Sequence, residues 1–154
     1  MFGHADWIPA LTLLPNGLLA SGSINGEIII WNISETSPLY TLTGHTDMID
    51  DLVVINNEYL ASCSLDKTIK LWSLDTYNEV NSWTASNDRC YALAFDPKLN
   101  VLVSAGGDDN EIRVWDSRLW TNITKDNQGK RFKTKHSIIV IYSKLVFFFF
   151  KRIC

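Results

Sequence analysis

Three segments of this chain align on one another at a nearly constant spacing, and that repetition constrains the fold more than any other feature. GHADWIPALTLLPNGLLASGSINGEIIIWNI starts at Gly3, GHTDMIDDLVVINNEYLASCSLDKTIKLWSL at Gly44, and ASNDRCYALAFDPKLNVLVSAGGDDNEIRVWDS at Ala85. The starts lie 41 residues apart, and Trp31, Trp72 and Trp115 follow at steps of 41 and 43. A period of about 20–50 residues marks a stacked-repeat architecture, in which each unit covers apolar surface on its neighbour.

Within the second copy, Asp51–Ile55, Tyr59–Ser64 and Thr68–Trp72 are rich in β-branched and apolar residues, and the turn formers Asn56-Asn57 and Asp66-Lys67 separate them. Glu79–Thr84 supplies a fourth strand, as Pro38–Thr43 does in the first copy. Four short antiparallel strands make a small sheet with two faces. Such a sheet cannot bury both faces alone, so the copies must stack. Much of the high tryptophan content fits this arrangement, because one large flat side chain per sheet fills the gap to the next.

These segments resemble the WD40 repeat family, whose units are the blades of a β-propeller. The resemblance covers about residues 3–119, although only Trp115-Asp116 is a true Trp-Asp pair, the others being Trp31-Asn32 and Trp72-Ser73. It implies an all-β fold: a partial propeller of three four-stranded antiparallel blades over residues 1–119, in units of about 3–43, 44–84 and 85–119. Residues 120–154 are expected to form a non-propeller tail.

The resemblance also implies a hydrogen-bonded tetrad in each blade, joining the His of Gly-His, a Ser of the second strand, the Asp of the next turn and the Trp. The second copy carries all four as His45, Ser62, Asp66 and Trp72. The first has His4, Ser21 and Trp31, with Asn25 in place of Asp; without charge, its link to the imidazole is expected to be weaker. In the third, Ser86 fills the His slot and leaves Ser104 and Trp115. One extra residue there leaves two candidates for the turn acid, Asp108 by its distance from Ser104 and Asp109 by its distance from Trp115.

His45, Asp66 and Ser62 are also the residue types of a hydrolytic triad. Yet the same types recur at the same slots in another copy, and the Ser lies inside a strand with no nucleophile elbow. The framework reading is therefore preferred, and no catalytic, metal-binding or cofactor-binding residue is assigned. Gly106-Gly107 lacks the lysine of a phosphate loop, and Asp50-Asp51 and Asp108-Asp109 read as turns or strand ends.

Protein binding in this family centres on the top face. Carried onto this chain, the implied positions flank the first apolar residue of each innermost strand and precede the turn acid. They are Trp7, Pro9 and Ile24, then Met48, Asp50 and Leu65, then Arg89, Tyr91 and Asp108. Trp, Tyr and Arg are the types that anchor interfaces. For Met48 and Leu65 the competing role is packing between blades, and for Trp7 it is covering an end without a neighbour. The expected function is thus a non-catalytic scaffold or adaptor whose partners are other proteins, with no small-molecule substrate.

Residues 1–120 hold 16 acidic and 6 basic side chains, whereas residues 121–154 hold 1 acidic and 8 basic. An adaptor working through this basic, Phe-rich tail on a membrane or nucleic acid is the alternative reading. Neither surface is the expected partner. Ser137–Phe150 spans 14 residues with Lys144 inside, short of the roughly 20 that cross a bilayer. Lys130, Arg131, Lys133 and Lys135 do not read as a base-stacking surface.

Three blades cannot close a ring that usually holds seven, so the chain reads as a fragment or truncated gene product, with Gly129-Lys130 compatible with splice-donor codons. Its end blades are expected to expose apolar faces and to favour self-association. Cys63, Cys90 and Cys154 form no CxxC pair, and the N-terminus has no signal-peptide pattern, which points to reduced thiols in the cytoplasm or nucleus.

Overall fold

The computed structural model describes residues 3–35, 37–106 and 112–122, with 121 and 122 through their backbone alone. Asp108, Asp109 and the tail-based readings fall outside the described residues.

Among the described residues, twelve strands form three sheets, each a meander of four. Blade 1 holds β1 (Ala10–Leu13), β2 (Leu19–Gly22), β3 (Ile28–Asn32) and β4 (Ser37–Leu42). Blade 2 holds β5 (Ile49–Ile55), β6 (Tyr59–Ser64), β7 (Thr68–Ser73) and β8 (Glu79–Thr84). Blade 3 holds β9 (Cys90–Asp96), β10 (Val101–Gly106), β11 (Ile112–Asp116) and β12 (Thr121–Asn122). Neighbouring strands pair antiparallel in chain order, and no helix occurs among the described residues.

The turns follow from residues that accept left-handed backbone. Between β5 and β6, Asn56 and Asn57 adopt φ of 48° and 61°, and Glu58 N–H donates to the Ile55 carbonyl at 3.0 Å. Two positive φ values in a row suit the twist of a tight hairpin. The β2–β3 and β6–β7 turns each end on a left-handed residue, Gly26 at φ 83° and Lys67 at φ 73°. Gly26 is the more confined of the two, because a Cβ there would lie 2.6 Å from the His45 carbonyl oxygen of the next blade. Gly26→Ala should therefore lower unfolding free energy by at least the roughly 1–2 kcal/mol that left-handed backbone costs an L-residue. Equilibrium urea unfolding measures this, and wild-type stability in the variant would contradict the close approach.

Alternation along the strands sends apolar residues to both faces of blade 2. Leu52, Leu60 and Trp72 pack on Ala10, Ala20, Ile28 and Ile30 of blade 1. Ala61, Cys63, Ile69 and Leu71 pack on Cys90, Leu93, Leu102 and Trp115 of blade 3. Polar groups pin the same joints. Leu93 N–H donates to Asp51 Oδ2 across blades 2 and 3 at 2.9 Å, and Asn16 Nδ2 donates to the Tyr77 hydroxyl at 3.0 Å across blades 1 and 2. Tyr77 also stacks on Tyr40, with ring centroids 4.2 Å apart.

The two end blades differ, contrary to the expectation that both expose apolar faces. Blade 1 leaves Leu11 and Leu13 at 63% and 67% exposure. On blade 3, Val103 and Val114 are buried, and only their neighbours Ala94, Val101 and Ile112 are half-buried.

Candidate functional site

In blade 2 the four tetrad residues form one continuous chain. Trp72 Nε1–H donates to Ser62 Oγ at 2.8 Å, and Ser62 Oγ lies 2.7 Å from His45 Nε2. His45 Nδ1 lies 2.7 Å from Asp66 Oδ2. A carboxylate only accepts, so the proton on this ring sits on Nδ1, and Nε2 takes the serine proton. Asp66 is tied further: Oδ2 accepts from Thr46 N–H at 3.1 Å, and Oδ1 accepts from the Thr68 N–H and hydroxyl at 2.9 and 2.6 Å. Burial works to raise the Asp66 carboxyl, but the bonds from His45 and Thr68 and the charge interaction with His45 outweigh it, holding it well below the usual carboxylate range.

The connectivity Asp66–His45–Ser62 is that of a nucleophilic triad, yet its chemistry differs. Ser62 is fully buried, and its oxygen already accepts the indole N–H. No electrophile can reach that oxygen without dismantling the joint between blades 1 and 2. Among the described residues, no group of three or more His, Cys, Asp or Glu is arranged to hold a metal ion.

Blade 1 keeps two of the three links of this chain. Trp31 Nε1–H donates to Ser21 Oγ at 2.7 Å, and His4 Nε2 lies 2.7 Å from the same oxygen. The expected weak link from Asn25 to His4 is absent. Asn25 instead accepts from Glu27 N–H at 3.2 Å and donates to Glu27 Oε2 at 2.8 Å, leaving His4 Nδ1 buried without a partner. The amide carries a donor that the carboxylate lacks, and the nearby Glu27 carboxylate captures it. Burial pushes His4 below its ordinary value.

In blade 3, Trp115 Nε1–H still donates to Ser104 Oγ at 2.9 Å. Ser86 turns away into its own loop, donating to the Asp88 carbonyl and accepting from Asp88 N–H, both at 2.9 Å. The vacated ring contact goes to Trp83, whose centroid lies 5.7 Å from that of Trp115 at 56°. His4 and His45 hold the same relation to their tryptophans, at 5.9 and 6.3 Å and 61°. Sequence reasoning missed Trp83, although a signal was present: Leu42 and His45 of one joint become Trp83 and Ser86 of the next. Thr68 was also missed.

The top-face positions lie where the segments entering each inner strand meet the β2–β3 and β6–β7 turns. Ile24 N–H donates to the Trp7 carbonyl at 3.0 Å, and Leu65 N–H to the Met48 carbonyl at 2.9 Å. Backbone thus ties two of the three positions together in each of these blades. The third position is a break in strand pairing. In blade 2 the register steps from Ile49↔Ser64 to Asp51↔Cys63, leaving Asp50 as the bulged residue. In blade 3 it steps from Gly106↔Cys90 to Ala105↔Ala92, leaving Tyr91 bulged. Pro9, which has no N–H to offer a ladder, precedes β1 in blade 1. Trp7 is 79% exposed, Arg89 is exposed with its guanidinium 5.4 Å from the Tyr91 ring centroid, and Ile24, Met48 and Leu65 are half-buried.

The sequence matches the family described as WD domain, G-beta repeat three times, over residues 1–32, 36–73 and 77–116. The chain belongs to the WD40 repeat family. Small ribosomal subunit protein RACK1 of Schizosaccharomyces pombe is a relative, 32% identical over 124 residues covering 74% of this WD40 chain and 39% of that protein. Solved structures described as U3-55K and as RRP9 WD40 repeats each superpose with a TM-score of 0.70 at 28% identity, covering 80% of this chain and 38% of theirs. This WD40 chain therefore spans about two fifths of the length of the relatives it matches.

Proposed function

We propose that this WD40 chain is a non-catalytic protein-interaction scaffold that presents the top face of its blades to a protein or peptide. The observation that carries this reading is the bulge at the same inner-strand position in blades 2 and 3, which turns Asp50 and Tyr91 out of the ladder. Bulges re-aim side chains and cluster at functional edges. The backbone bonds from Ile24 to Trp7 and from Leu65 to Met48 hold the rest of the face in place, so little ordering entropy is lost when a partner docks. Trp7 and the Arg89–Tyr91 pair are the anchors; Met48 and Leu65 serve both contact and packing. The relative described as a small ribosomal subunit protein supports a role within an assembly. Cys63 and Cys90 are buried free thiols, in keeping with the cytoplasm or nucleus.

Trp7→Ala and Tyr91→Ala test this. Each should weaken capture of a co-purifying protein by about 10–30-fold, the range for losing an interface anchor. The thermal midpoint should stay within a few degrees of wild type. Unchanged capture by both variants, with melting intact, would refute the top-face assignment.

A further inference from the structure

Each strand of a meander reverses direction, so the β1–β2, β5–β6 and β7–β8 turns lie at the ends of the blades opposite the top face. Between blades 1 and 2 these turns enclose an open notch of about 420 Å³. Pro15 and Asn16 form its blade 1 wall, and Glu58, Tyr59, Leu74 and Asp75 line its blade 2 wall. Hydrogen bonds tie the walls together. Leu74 N–H donates to the Glu58 carbonyl at 2.9 Å, and Asn16 Nδ2 donates to the Tyr77 hydroxyl at 3.0 Å. The notch is therefore preformed, as small-ligand and side-chain sites usually are.

Blade 3 builds the same turn with its charges balanced. Ser117 N–H donates to the Asn100 carbonyl at 3.0 Å, as Leu74 does to Glu58. Arg118 N–H donates to Asp116 Oδ1 at 2.9 Å, as Asp75 N–H does to Ser73 Oγ at 3.2 Å. Trp120 and Tyr77 share a left-handed φ, 54° and 55°. Asp116, Arg118 and Asn100 thus stand where blade 2 has Ser73, Asp75 and Glu58. There the Arg118 guanidinium donates to both Asp116 oxygens, at 3.0 and 2.6 Å, and Asn100 Oδ1 accepts from Asn56 Nδ2 at 3.2 Å. Blade 2 has two carboxylates in these places and no guanidinium. Glu58 and Asp75 are both exposed, and among the described residues neither belongs to an ion pair.

We propose that the notch between blades 1 and 2 takes an arginine side chain of a partner protein. A guanidinium is planar and carries five N–H donors in a fixed fork, so one group can serve carboxylates on two turns. Its flat face suits the Tyr59 ring, and its methylenes suit the apolar surface of Pro15 and Leu74. A lysine ammonium brings the charge but has no flat face to lay on the tyrosine. The notch and the top face lie at opposite ends of the blades, so either can bind without the other.

The test is a titration of the blocked tripeptide acetyl-Gly-Arg-Gly-amide into the full, isotope-labelled chain, followed by amide NMR. Low ionic strength is used, because salt screens exposed pairs. Saturable shifts are expected at Asn57, Glu58, Leu74 and Asp75, and none at Trp7, Met48 or Tyr91. The double variant Glu58→Gln with Asp75→Asn should weaken binding by about 5–30-fold, the worth of two exposed ion pairs. Both side chains are exposed, so the rest of its spectrum should match wild type. A peptide with citrulline in place of arginine keeps the shape without the charge, and should lose affinity to the same extent. The lysine peptide should bind more weakly than the arginine one. Shifts confined to the top face would overturn the proposal. So would the absence of saturable shifts, whether the notch stays empty or is held by a basic residue of 123–154. Equal binding by the double variant, or of the citrulline or lysine peptide, would also overturn it.

Discussion

Replacing Trp72 with alanine should lower unfolding free energy by about 3–5 kcal/mol, the cost of deleting a large buried aromatic. Trp72 is 2% exposed and sits in the core between blades 1 and 2 with Leu60, Ile28 and Ile30. Its ring also lies under Gly44, so the cavity cannot close without moving the Gly-His loop. Trp72→Phe separates packing from polarity. It keeps most of the volume but removes the Nε1–H that donates to Ser62. Because Ser62 retains His45, the lost bond should cost only about 0.5–1.5 kcal/mol beyond the volume change. Urea midpoints of the two variants, measured side by side, check the division. A loss below about 1 kcal/mol in Trp72→Ala would mean that blades 1 and 2 do not share this core.

What the sequence made legible was whatever depends on period and residue type. The 41-residue repeat led to three four-stranded blades, and the WD40 match over residues 1–116 agrees with that reading. Strand limits were close because turn chemistry is local: Asn56-Asn57 accepts left-handed backbone wherever it stands. What depends on competition between neighbouring side chains was not legible. Asn25 has the right type and spacing to reach His4, yet Glu27, two residues on, offers its amide a better acceptor. Trp83 fills the place of an imidazole that Ser86 vacated, a compensation visible only when two positions are read together. Asp51 capping Leu93 N–H is another such case, since the two are 42 residues apart and joined only by the stacking of blades.

The difference between Asp66 and Asn25 gives the second large effect. Asp66→Ala should cost about 2–3 kcal/mol, because it leaves several part-buried donors without their carboxylate acceptor. It strips acceptors from His45 Nδ1, Thr46 N–H and Thr68 at once. Asn25→Ala should cost less than about 1 kcal/mol, since in blade 1 the imidazole already lacks that partner. Asn25→Asp should be neutral or stabilising if the carboxylate turns to His4. The Asp66 effect should also depend on pH. Its carboxyl is held below the usual range when folded, and an unfolded aspartate titrates near about 3.9. Over that interval the unfolded chain binds the extra proton, so the stabilisation is fully present above about pH 5. It is lost as pH falls below about 4 toward the folded value. Urea unfolding of wild type and Asp66→Asn at pH 7, 5, 4 and 3 should show the gap between them narrowing only at the acid end. A gap that stays constant to pH 3 would mean that the Asp66 charge does not help to fix the Gly-His loop onto the blade.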